Sequence, residues 1–146
     1  MASSRLVLLC AAAAAAAACL PSPASAEDWI VGEAGGWRAK FNQTGWADFK
    51  TFRVGHTLTF MYPKWNHTVV EVGEEDFVAC NLRGNWLRFW NTGYDVVHLD
   101  KPGKRWFFCA VPGHRDNGMK LAINVEDAVP PPAPAPAPAP SPARWF

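Results

Sequence analysis

Cys109-Ala110-Val111-Pro112-Gly113-His114-Arg115-Asp116-Asn117-Gly118-Met119 sets a thiol, an imidazole and a thioether at intervals of five along one loop. A soft thiolate with imidazole nitrogen and a weak axial thioether is the donor set of electron-transfer copper, which also needs a second imidazole from elsewhere in the chain. His67, in Asn66-His67-Thr68-Val69-Val70, is the candidate. Taken singly, each residue has an ordinary reading: His114 as a turn histidine, Met119 as a core residue opening a strand, Cys109 as a buried apolar thiol. His56 and His98 are not needed for the set and are expected to face solvent.

Outward from that loop, the chain from Trp29 to Val125 is a series of short β-type runs. Trp29-Ile30-Val31 stops at Gly32, Leu58 to Tyr62 stops at Pro63, and Thr68 to Val72 stops at Gly73. Tyr94 to Leu99 ends before Lys101-Pro102-Gly103, Arg105 to Cys109 follows, and Leu121 to Val125 closes the series. Runs of four to six β-branched and aromatic residues bounded by Gly and Pro predict an all-β antiparallel sandwich. One short helix is expected over Glu74 to Cys80, with acidic residues at its start and Phe77 and Cys80 on one face. Most of the eight tryptophans are expected to be core or hairpin-packing residues, because large rings supply much of the burial in a small sandwich. Trp65, two residues before His67, is a candidate for an apolar docking rim instead.

The order of these pieces resembles the plant phytocyanins. The resemblance rests on Gly35-Gly36-Trp37, Phe52-Arg53-Val54-Gly55, Phe60-Met61-Tyr62, His67-Thr68-Val69-Val70-Glu71-Val72 and Phe77-Val78-Ala79-Cys80-Asn81. Lys101-Pro102-Gly103-Lys104, Phe107-Phe108-Cys109, Pro112-Gly113-His114 and Gly118-Met119-Lys120-Leu121 complete it. It implies a cupredoxin-like Greek-key β-sandwich with one or two short helices, and one type 1 copper held by His67, Cys109, His114 and Met119. Methionine at the axial position is similar to the plantacyanin and uclacyanin type, whereas stellacyanins have glutamine there.

The chain also departs from that pattern. The family's disulfide would join Cys80 to a cysteine directly after the loop histidine, and here that position is Arg115, so no such bridge is expected. A loop of about 35 residues would have been worth roughly 3–4 kcal/mol. Cys80 and Cys109 are left in an oxidising compartment, where metal-free protein risks a bridge between them that bound copper would prevent. Arg115 brings a cation beside the His114 imidazole, offset in part by Asp116, and favours Cu(I) over Cu(II) if it stays near the metal. Thr68 stands where many relatives have asparagine tying the two ligand loops, and is expected to loosen the site. It also completes the glycosylation sequon Asn66-His67-Thr68, beside a second at Asn42-Gln43-Thr44.

The ends of the chain read differently. Residues 1–26 have a signal peptide's composition: Arg5, an apolar stretch from Leu6 to Leu20, and Ala24-Ser25-Ala26 as a small-residue cleavage site. The apolar run ends at Pro21, short of a membrane span. Residues 27–127 then form the folded domain and 128–146 a Pro/Ala-rich tail. That tail stays extended, because each proline lacks a donor and fixes φ. By resemblance such Ala-Pro and Ser-Pro repeats are sites of proline hydroxylation and arabinogalactan attachment; a plain spacer is the alternative. No hydrophobic segment follows Arg144, so a lipid anchor is not expected.

Charge and chemistry narrow the function. Apart from Arg5, basic and acidic side chains balance, and no nucleic-acid footprint is visible; Lys101, Lys104 and Arg105 read as a solvated turn. Zinc is a poorer fit, since structural zinc prefers closed Cys and His sets without a thioether. A Cys109-His114 nucleophile would need an orienting group, an oxyanion site and a cleft, none of which is signalled, so no enzyme is expected. The expectation is a secreted one-electron carrier of the apoplast or cell wall, with a small-molecule or protein redox partner and possible polysaccharide association. The alternative is a wall or signalling glycoprotein that uses the fold for interaction, with copper incidental.

Overall fold

The computed structural model describes residues 26–131 and 133. The signal-peptide reading, apart from Ala26, and most of the proline tract lie outside them. Eight strands are present among the described residues: β1 (Asp28–Ile30), β2 (Phe52–Arg53), β3 (Thr57–Met61), β4 (Val69–Val72), β5 (Trp86–Trp90), β6 (Tyr94–His98), β7 (Gly103–Phe108) and β8 (Lys120–Glu126). Two short helices, α1 (Gln43–Ala47) and α2 (Glu74–Val78), and a 3-10 turn at Glu33–Gly35 interrupt them.

The strands form a three-stranded sheet in the order β1-β3-β6 and a five-stranded sheet in the order β2-β8-β7-β4-β5. Alternation sets their inner faces: Leu121, Ile123 and Val125 of β8, and Asp95 and Val97 of β6, are buried while their neighbours are not. Leu58, Phe60 and Val97 meet Val69, Phe107, Leu121 and Val125 in one core cluster between the sheets. β4 is buried along its whole length. Its Val70 and Val72, with Phe108, form a second cluster under Phe77 of α2 on the outer face of the larger sheet.

The sandwich is not wholly antiparallel. β1 pairs with β3, and β2 with β8, in parallel register. Hydrophobic alternation fixes which face a strand buries and leaves its direction open.

Two further expectations are corrected. The α2 helix ends at Val78 and Cys80 lies beyond it in the left-handed region (φ 50°), so Phe77 and Cys80 do not share a helical face. His56 is buried, with its Nδ1 accepting from Trp29 Nε1 at 3.3 Å. The described tryptophans are mostly core or packing residues, as expected: Trp37 is fully buried, Trp29, Trp46, Trp90 and Trp106 are half-buried against the two core clusters, and Trp65 and Trp86 are exposed. The indole N–H explains part of this: Trp46 keeps Glu33 Oε1 at 2.7 Å and Trp86 the Leu82 carbonyl at 3.2 Å, both at the surface.

Inside the sandwich, Arg105 of β7 holds Glu71 of β4 through two bonds of 2.7 Å and donates to the His98 carbonyl at 2.8 Å. This buried fork ties the larger sheet to β6 of the smaller one.

Candidate metal centre

The candidate residues lie at one end of the sandwich. His67 sits just before β4, Cys109 directly after β7, and His114 and Met119 on the loop that returns to β8. Turn residues close that loop. His114 N–H donates to the Val111 carbonyl at 3.1 Å and Met119 N–H to the His114 carbonyl at 3.1 Å. Gly118 takes φ 85°, and a Cβ there would stand 2.6 Å from the Phe41 carbonyl oxygen, so only glycine fits the bend before Met119. Cys109 N–H then donates to the Met119 carbonyl at 3.0 Å, clamping the two ends of the loop together.

Three donors converge. His67 Nδ1 and His114 Nδ1 are 3.0 Å apart, Cys109 Sγ is 3.7 Å from His114 Nδ1, and all three lie within 4.8 Å of one another. Two donors on one first-row ion at bonds of roughly 2.0–2.3 Å cannot be more than about 4.6 Å apart. The 3.0 and 3.7 Å spacings fall inside that bound and the 4.8 Å spread of the set lies just beyond it, so the three side chains converge on one candidate metal position. Cys109 and Met119 are fully buried and share the core cluster, while the two imidazoles are half-buried. Two nitrogens and a thiolate, with the Met119 thioether in the same core cluster as the thiol, is a donor set for copper.

The surrounding residues hold this arrangement. Thr68 N–H points at Cys109 Sγ at 3.5 Å, and the Thr68 hydroxyl accepts from Ala110 N–H at 2.9 Å and lies 3.9 Å from the same sulfur. The expectation that Thr68 loosens the site is therefore corrected: its hydroxyl reaches across and ties the loops. Trp37 Nε1 caps the Thr68 carbonyl at 3.0 Å from inside the core. Tyr62 packs edge-on against His67, with ring centres 6.2 Å apart, and donates its hydroxyl to Asp95, which also accepts from Thr92 Oγ1 at 2.6 Å. Burial, then the neighbouring His114, holds the His67 imidazole below its ordinary pKa and so favours the neutral ligand form. Burial, then the bond to Asp95, pushes the Tyr62 hydroxyl well above its usual range.

Sequence reasoning missed Tyr62, Asp95 and Trp37 as supports. Asp95 is 33 residues from Tyr62 and Thr68 31 from Trp37, and neither pairing leaves a local pattern.

The remaining sequence candidates lie around this centre. Cys80 and Cys109 are both free thiols; Cys80 Sγ lies 3.6 Å from Lys120 Nζ. Arg115 is largely buried, its Nε and Nη1 without hydrogen-bond partners and Asp116 Oδ1 3.6 Å away. His98 is exposed on β6. Trp65 is 82% exposed, with Lys64 Nζ 4.9 Å from its ring centre. Asn42 and Asn66 are both exposed. No helix among the described residues is long and apolar enough to cross a membrane.

Comparison with known proteins gives a consistent set of neighbours. The plastocyanin-like domain pattern matches residues 37–119. A blue copper protein of Pisum sativum is 40% identical over 126 residues, which cover 86% of this chain and 65% of the pea protein. One from Petunia hybrida is 39% identical over 108 residues, 73% of this chain and 40% of its own length. The chain thus spans less than two thirds of these two relatives. Among solved structures, the cucumber basic protein, a blue copper protein, superposes with a TM-score of 0.61 at 37% identity, over 67% of this chain and 98% of its own.

Proposed function

The chain belongs to the plastocyanin-like family, and from that premise we propose that it is a secreted type 1 copper protein that carries single electrons. The observation that carries this reading is the convergence of His67 Nδ1, His114 Nδ1 and Cys109 Sγ within 4.8 Å. His67, His114 and Cys109 would hold the copper as the strong ligands and Met119 as the weak one. Copper held there supplies a one-electron couple between Cu(I) and Cu(II).

The chain's own part is to keep those ligands still and dry. Thr68, Trp37 and Tyr62 fix the ligand loops from three directions, and the buried Cys109 thiolate is shielded from water and oxidant. Ligands preorganised on a rigid scaffold move little when the charge changes, which suits electron transfer. The half-buried His114 edge is the exit toward a small-molecule or protein redox partner. Arg115, next to His114, adds positive charge and favours Cu(I).

We read the protein as a carrier without substrate turnover. Its leader, residues 1–26, directs it out of the cell, and the proline tract beyond residue 127 serves as a sugar-bearing spacer against wall polysaccharide. The test is reconstitution of the full secreted chain with Cu(II). An intense blue band that disappears in Cys109→Ser supports the proposal; a folded protein with free thiols and no band overturns it.

A further inference from the structure

Asn66, His67 and Thr68 form a glycosylation sequon whose middle residue is a proposed ligand. The threonine is in a sequon because the sugar-transferring enzyme reads its hydroxyl. In the folded protein that hydroxyl is committed. It accepts from Ala110 N–H at 2.9 Å and lies 3.9 Å from Cys109 Sγ. Asn66 itself is exposed, on the turn where its N–H donates to the Pro63 carbonyl. The preceding Trp65 is held at φ 75° with its ring 82% exposed, an apolar surface that a sugar on the next residue would cover.

We propose that Asn66 is an N-glycosylation site whose filling competes with closure of the ligand loops through the Thr68 hydroxyl, so that the secreted protein exists in sugar-capped and open forms. The inference rests on the secreted reading above. In the transfer, Asn66 Nδ2 forms a bond to the anomeric carbon of a lipid-diphosphate-linked oligosaccharide. The anomeric C–O bond to the diphosphate breaks, the lipid diphosphate leaves, and the amide gives up one proton.

The order of synthesis sets the time allowed. Thr68 meets its partner Ala110 only after 42 further residues, whereas Thr44 of the other sequon, whose hydroxyl donates to the Lys120 carbonyl at 3.1 Å, waits for 76. At about 5–20 residues per second these windows are roughly 2–8 s and 4–15 s. The Asn42 side chain caps α1 through its oxygen, accepting from Gly45 N–H at 2.9 Å, which leaves its nitrogen available for sugar. Asn66 therefore has about half the opportunity of Asn42. A glycan there stands beside His67, where it screens large partners from the centre more than small ones.

The experiment is expression of the full chain in a eukaryotic secretory host, with site occupancy read by endoglycosidase release and peptide mass. The expected result is partial filling of Asn66, below the occupancy of Asn42, rising when translation is slowed by a sub-inhibitory dose of an elongation inhibitor. The unfilled secreted fraction, returned to microsomes with lipid-linked donor, should accept no sugar at Asn66. Asn42 filled with Asn66 always empty overturns the inference while leaving secretion intact. Occupancy indifferent to translation rate, or sugar added to the folded protein, overturns the competition. Secreted chain with both sequons empty overturns this inference alone; chain retained in the cytoplasm with its residues 1–26 intact overturns the secreted reading.

Discussion

The backbone N–H of Ala110 donates to the Thr68 hydroxyl at 2.9 Å, joining the residue after one proposed ligand to the residue after another. Thr68→Val keeps the shape and removes the acceptor, leaving the Ala110 N–H facing a methyl group. The expected cost is about 1–3 kcal/mol, a fall in melting temperature of roughly 5–20 °C for a domain of this size. Thr68→Ser should restore most of it. Thermal unfolding of metal-free protein made in bacteria, where no sugar intervenes, checks both.

Tyr62 and Asp95 form the second support. Tyr62→Phe removes the donor to a buried carboxylate that retains only the Thr92 contacts, and about 1.5–3 kcal/mol is expected to be lost, as for a bond to a charged group. Since Tyr62 packs edge-on against His67, the imidazole resonances of His67 should broaden or split in the variant. A purely structural role would lower stability and leave them unmoved.

The Glu71 and Arg105 fork predicts a strongly non-additive double mutant. Arg105→Met strands a carboxylate that is 10% exposed, at an expected cost of about 3–5 kcal/mol. Adding Glu71→Leu removes the stranded charge and should recover much of the loss, because two apolar residues need no partner. Denaturant unfolding of the two single variants and the double measures the coupling.

Glu33 accounts for part of the acid sensitivity. It accepts from Lys50 Nζ at 2.7 Å and from Trp46 Nε1 at 2.7 Å, and these bonds, the Lys50 one first, hold its pKa below the ordinary 4.5. A carboxylate depressed in the folded state binds fewer protons there than in the unfolded chain. Its stabilisation is thus complete above pH 4.5 and lost as pH falls through the folded value. Glu33→Gln should flatten the stability curve in that acid window and leave its shape near neutrality unchanged.

The sequence made much of this architecture legible, for identifiable reasons. β3, β4, β6, β7 and β8 each carry a buried apolar stripe and end at Gly or Pro, or at a turn that holds them, so composition and punctuation agree. β5, Trp86–Trp90, was not foreseen: it is an edge strand whose residues are nearly all exposed, so no alternation marks it. The parallel pairings of β1 and β2 depend on long connections that leave no local trace. At the site, the 109–119 loop could be read because its donors are close in sequence, and His67 because the copper donor set calls for a second imidazole and the family resemblance aligns it. The Thr68 tie was misjudged, since whether a short hydroxyl reaches Ala110 depends on how closely two loops approach.

The central claim is that His67, Cys109, His114 and Met119 hold one copper that exchanges one electron. The most direct measurement is a redox titration of the copper-loaded full chain, following the blue band. The band should disappear on adding one electron per copper and return fully on reoxidation, with Cys109 still countable as a thiol after the metal is removed. A band that never forms, or copper reduction that is irreversible and ends in a Cys80–Cys109 disulfide, would contradict the claim.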